Sequence, residues 1–264
     1  VNFGLVIVGD EILSGKRQDK HLSKVIELLG ARGLGLSWAR YVGDEPRRIT
    51  AVLRDAFAGA DAVFCCGGIG ATPDDHTRQC AAAALGVPLA LHPRARELIL
   101  ERMHEVAREQ KVAFDPDRPD NLHRLNMGVF PRGAQIVPNP YNKIPGFSVG
   151  DVHFVPGFPV MAHPMIEWLL DTRYASLHGS LRRVERSVIV TGSMEATLTP
   201  LMEEIEARFP GIKVFSLPSV DHPVRGRHIE LGVKGDAQDS AAAFAALKDG
   251  LVALGVRLGD ELLR

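Results

Sequence analysis

The chain has 264 residues, 45% hydrophobic and 24% charged, a globular composition long enough for one large or two ordinary domains. With 31 basic against 32 acidic residues it carries no electrostatic footprint for nucleic acid or an anionic membrane surface. No apolar run approaches a bilayer span, so a soluble protein with neither nucleic-acid nor membrane partner is expected.

Residues 2–8 are a continuous apolar, β-branched run, as in a strand buried on both faces of a parallel sheet. The run lacks a basic leader and passes straight into Gly9-Asp10-Glu11-Ile12-Leu13-Ser14-Gly15, so it reads as a strand rather than a signal peptide. From Asp19, Leu22, Val25, Ile26 and Leu29 form one stripe of an amphipathic helix ending at Gly30 or Gly33. A second strand follows from about Leu34 to Val42. Asp44 is expected to cap the next helix, with Pro46 in its first turn and Ile49, Val52, Leu53 and Ala56 inward. The third strand is Ala62–Cys66. Its Cys65 and Cys66, with Cys80, make no metal-type spacing and no even disulfide set, which fits a reducing cytoplasm.

The stretch after that strand, Gly67-Gly68-Ile69-Gly70-Ala71-Thr72-Pro73-Asp74-Asp75-His76-Thr77, reads as a glycine loop entering a helix capped by Thr77. Its closely spaced amides and the helix N-terminus suit a phosphate. Neither the dinucleotide-binding nor the Walker fingerprint fits, and Asp74 and Asp75 would repel a phosphate. They call for a bridging divalent cation, or for the N–H edge of a heterocycle or a ribose hydroxyl. The loop therefore suggests a nucleotide or pterin phosphate as the small-molecule partner.

Alternating strands and helices with short connections predict an α/β fold, an open and mostly parallel sheet with helices on both faces. In such a sheet the loops leaving the strands share one edge. The turns at Gly9, Gly43 and Gly67 would then gather Asp10, Glu11, Asp44, Glu45, Asp74 and Asp75 around one crevice. Further on, residues 93–111 read as a surface helix with Ile99, Met103 and Val106 inward, and Phe114 to Asn121 as a loop that folds over the crevice. A hairpin of 146–149 with 152–155 leads into Val155-Pro156-Gly157-Phe158-Pro159, whose amides face the same crevice, and into a helix with Met161, Met165, Trp168 and Leu169 inward. The sequence turns basic and loop-like at 176–185. Beyond it lies a small α+β unit in β-α-β-β-α order, with Pro200 either starting its first helix or breaking an earlier turn. Residues 218–227 read as a polar loop.

With the motifs at 9–15, 67–77 and 156–159 in that order, the first 175 residues or so resemble the MoaB/Mog molybdopterin-binding fold. They are most similar to the N-terminal part of the competence-damage-inducible protein A (CinA) family. The segment 183–264 resembles that family's small middle domain. The amidase domain of full-length members has no counterpart, so nicotinamide-nucleotide deamidation is not expected. The resemblance implies a pterin- or nucleotide-binding crevice and metal-dependent hydrolysis of ADP-ribose-type pyrophosphates. Molybdopterin adenylylation and a non-catalytic binding module are the alternatives. The adenylyltransferases carry Thr at the place of Ile69 and Arg at that of Asp74, whereas an essential Asp matches Asp75 and another matches Asp44.

Asp44 and Asp75 are thus the expected catalytic residues. Asp10, Asp74 and Asp75 are the expected ligands of a divalent ion, Mg or a transition metal, and molybdopterin is a candidate ligand. Contacts to the phosphate-bearing molecule are expected from Gly9, Glu11, Ser14 and Gly15, from Gly67, Gly68, Gly70, Thr72 and Thr77, and from Pro156, Gly157 and Pro159. Lys143 is the candidate phosphate cation. A homo-oligomer, dimer or trimer, is the expected assembly.

Overall fold

The computed structural model describes residues 1–179 and 183–263. They fall into two compact units, one over residues 1–179 and one over 183–263. In chain order the first unit contains β1 (Phe3–Val8), α1 (Asp10–Leu13), α2 (His21–Gly30), β2 (Leu36–Val42), α3 (Pro46–Ala58), β3 (Ala62–Cys66) and α4 (Thr77–Leu85). It continues with β4 (Leu89–Leu91), α5 (Pro93–Glu109), α6 (Pro119–Leu125), β5 (Val129–Pro131), β6 (Gln135–Val137), β7 (Gly146–Val149), β8 (Val152–Val155) and α7 (Pro159–Thr172).

A six-stranded sheet in the order β2-β1-β3-β8-β7-β6 carries this unit. The first four strands are parallel, and β7 and β6 extend the sheet antiparallel. Because successive side chains of a strand face opposite ways, each buried strand feeds two cores. Phe3, Leu5 and Ile7 of β1, with Phe64 and Cys66 of β3, pack against Val25 and Leu29 of α2 and Met165 and Leu169 of α7. Val6 and Val8, with Val63 and Cys65, pack on the other face against Ile49 and Leu53 of α3, Ala81 of α4 and Ala95 of α5. Helices thus cover both faces, as the fold class expected for this unit requires. A two-stranded antiparallel β4-β5 sheet stands apart from the main one.

Several local expectations shift. Ile26 is 51% exposed while Leu28 is buried, so the α2 stripe is rotated from the one read off the sequence. Trp168 of α7 is half out of the core, whereas Met165 and Leu169 are buried. Glu45, not Asp44, caps α3: its carboxylate accepts from the Arg47 and Arg48 amides at 3.0 and 3.2 Å. Thr77 is the first residue of α4 rather than its cap.

The second unit contains β9 (Arg183–Thr191), α8 (Glu195–Arg208), β10 (Lys213–His222), β11 (Gly226–Asp236), α9 (Ala237–Ala253) and β12 (Arg257–Leu263). Its sheet is antiparallel in the order β10-β11-β9-β12, with Leu198, Ile205, Leu247 and Leu251 of the helices packed on Val188, Val190, Leu231 and Val233. Three readings change here. The strand β12 was not foreseen, α8 runs continuously through Pro200, and most of the 218–227 loop is hairpin. Pro218 is tolerated because β10 lies at the edge of the sheet, where a missing N–H breaks no second ladder. The segment read as a loop at 176–185 holds the start of β9, and its residues 180–182 lie outside the described residues. Among the described residues no helix is long and apolar enough to cross a membrane.

Candidate functional site

The loops that follow β1, β2, β3 and β8 leave the same edge of the sheet and enclose a crevice of about 690 Å³. One side is formed by Gly9, Glu11, Lys16, Arg17, Asp44 and the loop from Gly67 to Asp75. The other presents Ile144, Pro145, Phe158 and Met161, with Pro156 and Gly157 between the two. An adjoining recess of 650 Å³ shares Glu11, Lys16, Asp44 and Asp74 and adds Asp10, Leu13 and Ser14.

Backbone geometry explains the glycines of the central loop. Gly67 and Gly68 have φ of 106° and 67°, conformations that side-chain-bearing residues rarely adopt. A Cβ on Gly67 would collide with the Val8 carbonyl oxygen, and one on Gly68 with the Thr77 hydroxyl. Four of the loop's carbonyls are engaged by neighbouring residues. Thr77 donates its hydroxyl to the Gly67 carbonyl at 3.0 Å and its amide to the Gly68 carbonyl at 2.9 Å. Arg78 donates to the Gly70 carbonyl, and His123 of α6 donates Nε2–H to the Ala71 carbonyl at 2.7 Å.

The amides tell the converse story. Gly67 N–H is spent on the Val155 carbonyl at 3.0 Å, which corrects its expected role as a phosphate donor. Thr72 N–H is spent on Asp75 Oδ2 at 2.8 Å. Between them the N–H groups of Gly68, Ile69, Gly70 and Ala71 have no acceptor among the described residues. Four consecutive unengaged amides on a crevice wall are a donor set of the kind that suits an anion.

The carboxylates are arranged differently from a metal cage. Asp10 and Asp44 exchange hydrogen bonds, each carboxylate accepting the other's backbone amide. Asp75 accepts both the amide and the hydroxyl of Thr72 through one oxygen. Glu45 is committed to the α3 cap. Among the described residues no three His, Cys, Asp or Glu side chains come together as metal ligands. Asp10, Asp74 and Asp75 are thus not gathered into one ligand set. Burial pushes the Asp44 carboxyl up from the ordinary aspartate range; the Asp10 amide opposes that shift, and the charges of Asp10, Glu11 and Asp74 add to it.

The other expected contacts divide. Gly9, Glu11, Thr72, Pro156 and Gly157 line the crevice, and Ser14 lines the adjoining recess. His21 Nε2 donates to the Gly157 carbonyl at 3.1 Å and so fixes that turn. Gly15 and Pro159 are not among the lining residues, and Thr77 is fully buried behind the loop. Lys143 is a correction: it pairs with Glu101 and Glu105 of α5, which raise its pKa, and the crevice instead receives Lys16 and Arg17. Those two were legible as cations directly after the first glycine turn. Of the apolar wall, Phe158 sits in the turn read as facing the crevice, whereas Met161 left no such signal, because an apolar residue in a helix pattern reads equally as core. The 114–121 segment also departs from expectation, since α6 reaches the loop's back through His123 rather than closing over the crevice.

Fold and site together define an α/β domain with a crevice at the carboxyl ends of its parallel strands, walled on one side by unengaged loop amides. A family model described as a probable molybdopterin binding domain matches residues 4–176. The chain belongs to that molybdopterin-binding domain family. A CinA-like protein of Anaeromyxobacter sp. (strain Fw109-5) is 29% identical over 268 residues, covering 95% of this chain and 62% of its own length. This chain thus spans about three fifths of that relative. A protein of Pyrobaculum aerophilum is 27% identical over 265 residues and is covered over 96% of its length. The structure of CinA from Thermoplasma acidophilum, described as of unknown function, superposes with a TM-score of 0.54 at 24% identity, covering 65% of this chain and 98% of its own. The likeness to the MoaB/Mog and CinA families read from the three motifs is thereby met.

Proposed function

We propose that the crevice binds a phosphate-bearing nucleotide or pterin and that the chain hydrolyses an ADP-ribose-type pyrophosphate held there. The observation that carries this reading is the run of unengaged amides from Gly68 to Ala71, which suits a phosphoryl group as it gains charge. Lys16 and Arg17 supply cations for a second phosphate. Ile144, Pro145, Phe158 and Met161 suit the flat apolar face of a heterocycle. Glu11 and Asp74 suit ribose hydroxyls or the N–H edge of the ring.

Asp44 is the base in this reading, because burial and neighbouring carboxylates raise its proton affinity. A water loses one proton to Asp44 as its oxygen bonds to phosphorus. The bridging oxygen departs with the other phosphate, and the loop amides and Lys16 share the developing charge.

Incubation with ADP-ribose should release AMP and ribose 5-phosphate, with binding followed by calorimetry. Binding without product would leave a binding module. Tight molybdopterin binding with no affinity for ADP-ribose would move the role to the pterin side.

A further inference from the structure

We propose that Arg78 and His123 are positioning residues that hold the two peptides flanking Ala71 from behind, Arg78 aiming the Ala71 N–H at the ligand and His123 fixing the next peptide so that the Thr72 N–H stays on Asp75. The inference rests on the phosphate-binding reading of the crevice. It starts from the geometry of the peptide unit: in a planar trans peptide the C=O of one residue and the N–H of the next point in opposite directions. No peptide bond among the described residues is cis.

Applied along the loop, this rule sorts its donors. Thr77 holds the Gly67 and Gly68 carbonyls, so the Gly68 and Ile69 N–H groups face away from Thr77. Arg78 holds the Gly70 carbonyl, so the Ala71 N–H faces away from Arg78. His123 holds the Ala71 carbonyl, which sends the Thr72 N–H the other way, where Asp75 takes it. Three side chains behind the loop thus determine what its front offers. Thr77 and Arg78 come from the first turn of α4, but His123 arrives from α6, a separate element.

Arg78 is an unusual choice for a structural brace. Its side chain is only 4% exposed, and its Nε has no partner among the described residues. A buried guanidinium is costly unless its charge is compensated, and the nearest acid, Asp75, already accepts two bonds from Thr72. An anion bound to the Ala71 amide would face that charge across a single peptide unit. Arg78 therefore acts on the ligand through the loop and without touching it, as a fixed dipole and a fixed charge. His123 contributes the orientation alone.

The recess behind the loop, lined by Ala71, Thr72, Arg78, Gln79, His123 and Asn126, gives room for these side chains to be exchanged. His123→Leu removes the donor at an exposed position, whereas His123→Gln retains an N–H. Arg78→Lys keeps the charge, and Arg78→Met removes it. Calorimetry with ADP-ribose should show about fivefold to tenfold weaker binding for His123→Leu, because a released Ala71–Thr72 peptide no longer pins Ala71 beside the ligand, with recovery in His123→Gln. Arg78→Met should lose more than Arg78→Lys. Melting temperatures should be unchanged for both His123 variants, which a general loss of structure would not allow.

A ligand-free measurement separates this inference from the reading it rests on. Backbone carbonyl and amide shifts at Ala71 and Thr72 should move in His123→Leu and return in His123→Gln. If they do so while wild-type protein binds no ADP-ribose, the brace stands and the ligand is wrong. If the shifts stay in place in His123→Leu, or His123→Leu binds ADP-ribose as wild type does, the positioning role is overturned.

Discussion

Asp10 and Asp44 hold each other's backbone: Asp10 N–H donates to Asp44 Oδ2 at 2.8 Å, and Asp44 N–H donates to Asp10 Oδ1 at 3.2 Å. The exchange ties the turn after β1 to the turn after β2 and leaves Asp44 facing the crevice. Glu45 takes over the helix cap, and so Asp44 is not engaged by the α3 amides.

From this arrangement comes a pH dependence. Because the native pKa of Asp44 lies above 3.8, turnover should fall as pH drops through that raised value. Asp44→Asn keeps one acceptor for the Asp10 amide, removes the acid limb and lowers kcat by about 10²-fold or more. The raised pKa also means that the charged side chain opposes folding above pH 3.8, so the Asn variant should melt no lower than wild type at neutral pH. A rate profile unchanged by the substitution removes Asp44 from the reaction.

Gly68 and Gly15 make a matched pair. Both have left-handed φ, 67° and 73°, so alanine at either carries a backbone cost of about 1–2 kcal/mol. Only at Gly68 would the added Cβ also strike the Thr77 hydroxyl, while Gly15 has nothing within 4 Å. Gly68→Ala should lose ADP-ribose affinity and Gly15→Ala should keep it. Equal affinities in the two variants would deny the glycine loop a role in binding.

The cations can be sorted by salt titration. Lys143→Met should leave binding intact, since Lys143 is engaged by Glu101 and Glu105. Lys16→Met and Arg17→Met should weaken binding and flatten its salt dependence. The reverse result restores Lys143 as the phosphate cation.

Without nucleotide, Mg²⁺ or Mn²⁺ should give no heat on titration into the protein, because among the described residues no three His, Cys, Asp or Glu side chains are placed to hold an ion together. Stoichiometric binding that Asp75→Asn abolishes would reinstate a resident ion.

Away from the crevice, a chain runs from the buried Ser148, His153 and Tyr174 out to the exposed Asp151. Its polarity is fixed: Ser148 donates to His153 Nδ1, His153 Nε2–H donates to Tyr174, and Tyr174 donates to Asp151. Burial pulls the His153 pKa down to about 3. A depressed histidine supports the fold above its unfolded pKa of about 6.5 and loses that support as pH falls towards 3, by about 1.4 kcal/mol per pH unit. Denaturant unfolding between pH 7 and 4 should show this slope, and His153→Gln should lessen it. An unchanged slope assigns acid lability to other groups.

Much of the fold follows from local order in the sequence. Apolar runs at 3–8 and 62–66, with amphipathic helices between them, leave few alternatives to a parallel sheet covered on both faces. The second unit was less legible. In β12 the alternation is interrupted by Gly259-Asp260-Glu261 and survives only because β9 supplies a ladder for it. The ends of β10 and β11 likewise depend on hairpin pairing rather than on apolar pattern.

The sequence by itself determined that glycine turns and acidic residues share one edge, because strand order and connection length dictate where loops emerge. Which atoms of those turns are available was decided only by the tertiary structure. Gly67 and Gly68 are neighbours of the same type, yet one amide is consumed by Val155 of β8 and the other is not. Lys143 and Lys16 carry the same charge, yet α5 captures the first. Hydrogen bonds and ion pairs are formed with partners distant in the chain, so no local pattern encodes which donors are already satisfied. Composition names the groups that a site could use; packing leaves some of them unspent.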